Sequence, residues 1–106
     1  MRVTVSYHRS ARGMLRQWLS AIAAREPGGE LMARVAIEVI RERFVETGGD
    51  PPEAVNDETR GRAFRWWEYT EGFWVGYVVR TRGFGPFRSR RVIVVEVEER
   101  PPAPNP

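Results

Sequence analysis

The sequence predicts an α+β domain: an N-terminal strand, an antiparallel helical hairpin, then a three-stranded antiparallel meander, all strands joining one twisted sheet (β-α-α-β-β-β). Two observations lead there. Apolar residues recur at helical spacing through two stretches separated by Pro27-Gly28-Gly29. Residues with period-two alternation occupy a run at the N-terminus and three closely spaced runs between Arg60 and Arg100.

In the first run, Val3, Val5 and Tyr7 alternate with Arg2, Thr4 and Ser6, the pattern of a half-buried strand expected to pair at one edge of the sheet. After the polar link His8-Arg9-Ser10, the set Met14, Leu15, Trp18, Leu19 and Ile22 predicts a helix with one buried face, ended by Pro27-Gly28-Gly29. From Glu30 to Glu46, Leu31, Val35 and Val39 interleave with Met32, Ala36, Ile40 and Phe44 as one apolar face of a second helix, closed by Gly48-Gly49. Asp50 to Thr59, with Pro51-Pro52 and several acids, reads as an exposed connector.

The remaining strands are Arg62-Ala63-Phe64-Arg65-Trp66-Trp67, then Phe73 to Arg80, then Arg91-Val92-Ile93-Val94-Val95. Glu71-Gly72 forms a two-residue turn, glycine supplying the positive φ that tight hairpins need. Pairing Thr70 with Phe73 then sets Trp66 opposite Tyr77, Trp67 opposite Gly76 and Arg65 opposite Val78. One face gathers Phe64, Trp66, Phe73, Val75, Tyr77 and Val79 and becomes the core. The other gathers Arg65, Trp67, Tyr69, Trp74, Gly76, Val78, Arg80 and Arg82 and is expected to stay open, with Glu96 and Glu98 arriving beside Gly76 and Trp74. Guanidinium groups and flat rings on an uncovered sheet suit phosphates and unpaired bases, and equally suit a protein interface. The segment from Gly83 to Phe87 is a loop. Pro101 to Pro106 is a polyproline-like tail beyond a single domain of residues 1–100.

A length of 106 residues supports one modest core, and 42% hydrophobic with 29% charged residues argues against global disorder. All 17 basic residues are arginine, and their placement is uneven. Residues 60–91 carry eight arginines against two acids, whereas residues 1–59 carry eight against nine. Positive charge therefore accompanies the aromatics, where it focuses attraction for a polyanion. The absence of cysteine excludes disulfide frameworks and thiolate metal sites. His8, the single histidine, reads as a solvent-facing polar residue, and no carboxylate cluster predicts a metal site. No cofactor is expected. Neither a membrane span nor a signal peptide is evident, so the expected compartment is the cytoplasm.

On this element order the chain resembles the RelE/ParE superfamily of small bacterial toxins over Val3 to Arg100. Leu15-Arg16-Gln17-Trp18-Leu19 in the hairpin, Thr59-Arg60-Gly61 after the connector, the run from Gly72 to Val79 and the closing Val92 to Arg100 carry the likeness. The resemblance implies the toxin of a type II toxin-antitoxin system, with a cognate antitoxin as partner. The RelE type implies cleavage of mRNA on the ribosome through a ribose 2′-hydroxyl. By position, Arg65 and Arg100 then look like catalytic cations, with Arg62, Trp67, Trp74, Arg80 and Arg82 as RNA-binding residues. The chain departs from the pattern at Trp67 and Trp74, where basic residues are common, and Pro101 to Pro106 offers no tyrosine or histidine for proton transfer. Two alternatives stay open: a ParE-like inhibitor that binds DNA gyrase, and a non-toxic interaction module of the same fold.

Overall fold

The structure, a computed structural model, describes residues 1–25, 28–61, 63–70 and 72–99. Arg62, Arg100, Pro27, Glu71 of the expected turn and the tail 101–106 lie outside the described residues, as do the side chains of Ile22 and Met32. The chain runs through β1 (Arg2–Tyr7), α1 (Arg9–Arg25), α2 (Gly29–Glu46), β2 (Val55–Asn56), β3 (Arg65–Thr70), β4 (Phe73–Arg82) and β5 (Ser89–Glu98). The strands form one sheet in the order β1-β5-β4-β3-β2. Strand β1 lies parallel to β5 at one edge, and the other neighbours are antiparallel.

The α+β class and the helical pair match the expectation. The sheet differs in being five-stranded, because the connector supplies the short β2, with Val55 paired to Trp66 and Asn56 to Arg65, and in being mixed, because β1 runs parallel to β5. The connector's backbone amides find ladder partners there instead of water.

The helices cover one face of the sheet. Ala11 and Leu15 from α1 with Ile40 and Phe44 from α2 pack on Trp67, Phe73, Val75, Tyr77, Val92, Val94 and Val97. Trp18 stacks on Phe73 with ring centroids 3.9 Å apart. Helix α2 ends where Gly48 and Gly49 take positive φ (70° and 96°), and the Gly49 amide donates to the Phe44 carbonyl at 2.7 Å. Only part of the expected apolar face of α2 is buried. Ala36, Ile40 and Phe44 point inward, while Leu31, Val35 and Val39 are exposed, because a helix resting on a sheet buries one narrow stripe and the row beside it faces outward.

The sorting of β3 is the main correction. Thr70 does pair with Phe73, but the ladder is irregular between Glu68 and Thr70, leaving Tyr69 as an extra residue. From there on the pairs are Glu68 with Trp74, Trp67 with Val75, Trp66 with Gly76 and Arg65 with Tyr77. A one-residue bulge moves every following side chain to the other face. Trp67 and Arg65 therefore lie on the helix-covered side, and Phe64 and Trp66 on the side expected to be open. The β4–β5 ladder has its own irregularity, between Gly76 and Tyr77, opposite which Val95 of β5 is the extra residue. It lets Ile93, Glu96 and Glu98 share the open face with Val78, Gly76 and Trp74, their respective partners.

Candidate nucleic-acid interface

The face away from the helices is divided into two chemically different ends. At the β3 end the chain packs on itself. Gly76 has no side chain, and the rings of Phe64 and Trp66 occupy the space above it; a Cβ there would approach both rings to 2.9 Å. These rings meet edge to face at 5.4 Å, and the Arg60 guanidinium lies 5.1 Å from the Phe64 centroid. Arg60 also pairs with Glu96 at 2.5 Å. Trp66 is thus buried on a face without helices, sealed by neighbouring side chains from the same sheet and connector. Trp74 stands between Glu68 and Glu98 on the adjacent strands. Among the described residues this end carries Glu68, Glu96 and Glu98 against Arg60, a balance unfavourable to phosphate.

The connector read as merely exposed is a clamp on β3. Trp66 Nε1 donates to Asp57 and Trp67 Nε1 to Glu53, each at 2.9 Å, from opposite sides of the strand. The Thr59 hydroxyl foremost, with the Trp66 indole, holds the Asp57 carboxyl below its ordinary range. Arg43 joins Glu53 to the end of α2 at 2.9 Å.

Arg65 is held in the same way. It donates from Nη1 to Asn56 Oδ1 at 2.5 Å and from Nη2 to the Ala54 carbonyl at 2.9 Å. Its Nε lies 2.8 Å from Asp50 Oδ1, at an angle that makes the contact an ion pair and leaves Nε without a hydrogen bond. Burial opposes the guanidinium charge, but Tyr77 and Asp50 beside it outweigh that and hold Arg65 above the ordinary arginine range. Tyr77 donates to Asp50 at 2.7 Å, and burial pushes its hydroxyl well up. Every nitrogen of Arg65 is engaged by the protein itself, and Trp67 is buried against Phe44.

The β4–β5 end has the opposite character. Arg80 and Arg91 are direct partners across the ladder, and Arg82 follows Arg80 on the same face. Like charges directly opposite each other destabilise a sheet, so carboxylates would be expected between them. The described ion pairs involve Arg41, Arg43, Arg60 and Arg65; Arg80, Arg82, Arg88 and Arg91 take part in none of them. Arg91 Nε donates to Ser6 on β1 at 3.3 Å. Beyond it a groove of about 610 Å³ is lined by Ser6, Tyr7, His8, Arg9, Arg12, Arg91 and Ile93. His8 is exposed there, and its Nδ1 lies 2.9 Å from the Ser10 hydroxyl. The basic surface thus runs from Arg82 and Arg80 across Arg91 toward the start of α1.

Of the residues singled out in the sequence, the structure brings together Arg80 and Arg82, joined by Arg91. It places Trp74 among carboxylates, commits Arg65 to the connector and buries Trp67. Arg62 and Arg100 lie outside the described residues. Arg91 had a signal available: a period-two count from Ser89 aligns it with Arg80 once the hairpin is closed. The roles of Asp50, Glu53 and Asp57 had no local signal, since carboxylates in a proline-rich connector read as solvated charge.

Among the described residues no group of three His, Asp or Glu side chains is placed to hold a metal ion, and no helix is long and apolar enough to cross a membrane. Comparison with protein-family models, curated proteins and solved structures finds no match.

Proposed function

We propose that this protein is an RNA-binding, toxin-like domain that interferes with translation by occupying RNA on its basic sheet face. The observation that carries this reading is the unpaired opposition of Arg80 and Arg91, extended by Arg82. A sheet that tolerates two arginines at directly opposed ladder positions, with no described carboxylate bridging them, is stabilised when an anion binds beside them. Arginine binds phosphate with two parallel donors, which suits a sugar-phosphate chain better than a diffuse anion. The type of RNA follows from the resemblance to RelE/ParE toxins, which also implies a cytoplasmic site of action and a cognate antitoxin.

Binding is favoured over cleavage at Arg65, since its guanidinium is committed to Asp50, Asn56 and Ala54. One observation supports a nuclease as the second reading. His8 shares a groove with Arg9, Arg12 and Arg91, which puts an imidazole able to give or take a proton beside cations able to hold a phosphate.

The test combines binding with expression. Affinity for unstructured RNA is measured over a salt series for the wild type and for Arg80→Gln/Arg91→Gln, and each protein is then induced in cells with RNA ends mapped. Salt-dependent binding that the variant loses, together with inhibited translation of intact messages, supports a binding toxin. New cleavage ends that depend on His8 favour the nuclease. Arrested supercoiling with unaffected translation points to gyrase, and wild type without RNA affinity removes the proposal.

A further inference from the structure

Phe84 and Phe87, in the loop between β4 and β5, are 85% and 86% exposed, the most solvent-exposed large hydrophobic side chains among the described residues. Single exposed apolar residues are ordinary on protein surfaces. Two rings on one short turn are not, and this turn holds them in place. Gly85–Phe87 forms a 3-10 turn with Pro86 at its second position, the Phe87 amide donating to the Phe84 carbonyl at 3.3 Å and the Arg88 amide to the Gly85 carbonyl at 3.3 Å. Gly83 has φ of 75°, and a Cβ there would collide with the Phe87 carbonyl. The loop closes tightly on itself while its rings make no contribution to the core.

The surrounding charge is of one sign. Residues 80–91 contain five arginines and no acid. Arg82 and Arg88 flank the loop, with Arg80 and Arg91 behind them on the open face.

We infer that Phe84 and Phe87 form a stacking platform for unpaired bases, so that the RNA bound on the arginine face is single-stranded. This deepens the RNA-binding reading and rests on it. An unpaired strand offers bases and phosphates alternately along its length. Arg82 and Arg80 recede from the rings by two strand residues, about 7 Å, so cations follow the path that successive phosphates would take away from the stacked bases. A lipid surface, the other partner of an exposed aromatic with arginines, needs its cations in one plane around the rings. A duplex keeps its bases stacked internally and offers nothing to Phe84 and Phe87.

The test compares a short unstructured RNA carrying 2-aminopurine with the same sequence annealed to its complement, using the full chain. The variants are Phe84→Ala/Phe87→Ala, Phe84→Leu/Phe87→Leu and Arg80→Gln/Arg91→Gln. Both rings face solvent, so the loop variants are expected to melt as the wild type does. The wild type should prefer the single strand by about ten-fold or more and should quench 2-aminopurine; both loop variants should lose the preference and the quenching while keeping the wild-type salt dependence. Equal affinity of the wild type for single strand and duplex, with unchanged binding by the loop variants, overturns the platform and leaves the arginine face standing. Binding to phosphatidylglycerol vesicles that the leucine variant retains and the alanine variant loses, with RNA affinity unchanged in both, also overturns it. No RNA affinity in the wild type overturns this inference together with the reading it rests on.

Discussion

Gly76 lies directly across the β3–β4 ladder from Trp66, and the indole with its neighbour Phe64 occupies the volume a side chain at Gly76 would need. The pair explains how a tryptophan becomes buried on a sheet face that no helix covers. A Cβ at this position would lie 2.9 Å from Phe64 and from Trp66, whose own indole is tied to Asp57. Gly76→Ala should therefore destabilise the fold by about 1–3 kcal/mol, the usual penalty for overpacking. Urea unfolding followed by tryptophan fluorescence measures it, and a midpoint equal to that of the wild type would show that the rings yield freely.

Arg80 and Arg91 should behave as residues retained for binding at a cost to the sheet. In Arg80→Gln/Arg91→Gln the like-charge opposition disappears, so stability is expected to stay level or to rise by about 0.2–1 kcal/mol. RNA affinity should fall at the same time. Removing two phosphate contacts should flatten the slope of log affinity against log salt by about 1.4 for a single strand. Loss of stability in this variant would identify the pair as structural.

For Arg65 the expected order of effects is reversed. Arg65→Ala strips donors from Asn56 and Ala54 and leaves the Asp50 carboxylate beside Tyr77 without its cation. The side chain is a quarter exposed, which limits the loss to about 2 kcal/mol. Arg65→Lys should recover only part of it, because a point charge cannot reproduce the planar fork. Denaturant midpoints for the two variants decide this, and any reduction of RNA affinity in Arg65→Ala should track the reduction in folded protein.

Alkali should unfold the protein through its buried tyrosines. Burial pushes the Tyr7 hydroxyl up to about 12, and burial with the Asp50 hydrogen bond pushes Tyr77 up as well. Each native tyrosine thus holds its proton at pH values where the unfolded chain, with an ordinary value near 10, has released it. Above about pH 10 the unfolded state binds fewer protons, so stability falls as pH rises; below that value the contribution is complete. Tyr7→Phe removes a buried hydroxyl that has no hydrogen-bond partner among the described residues, so it should leave stability at neutral pH unchanged or improved. It should also flatten the alkaline decline, which denaturant midpoints measured between about pH 8 and 12 would reveal.

Much of the architecture was legible in the residues alone. Val3, Val5 and Tyr7 marked the edge strand, Leu15 with Ile40 and Phe44 marked helix faces turned to the sheet, and the Thr70–Phe73 pairing was set by local turn chemistry. The clustering of arginine after residue 60 was equally plain, because composition needs no coordinates. Which face each β3 side chain occupies was decided only in three dimensions. Alternation assigns faces correctly until one residue is inserted, and the bulge at Tyr69 reflects the fit of a whole strand against β4, with Trp67 beneath Phe44 and Trp66 above Gly76. The partners of Asp50, Glu53 and Asp57 likewise depend on the connector folding back over β3. Short-range periodicity determined what the elements are; packing between distant segments determined that Arg65 serves the scaffold while Arg80 and Arg91 face outward.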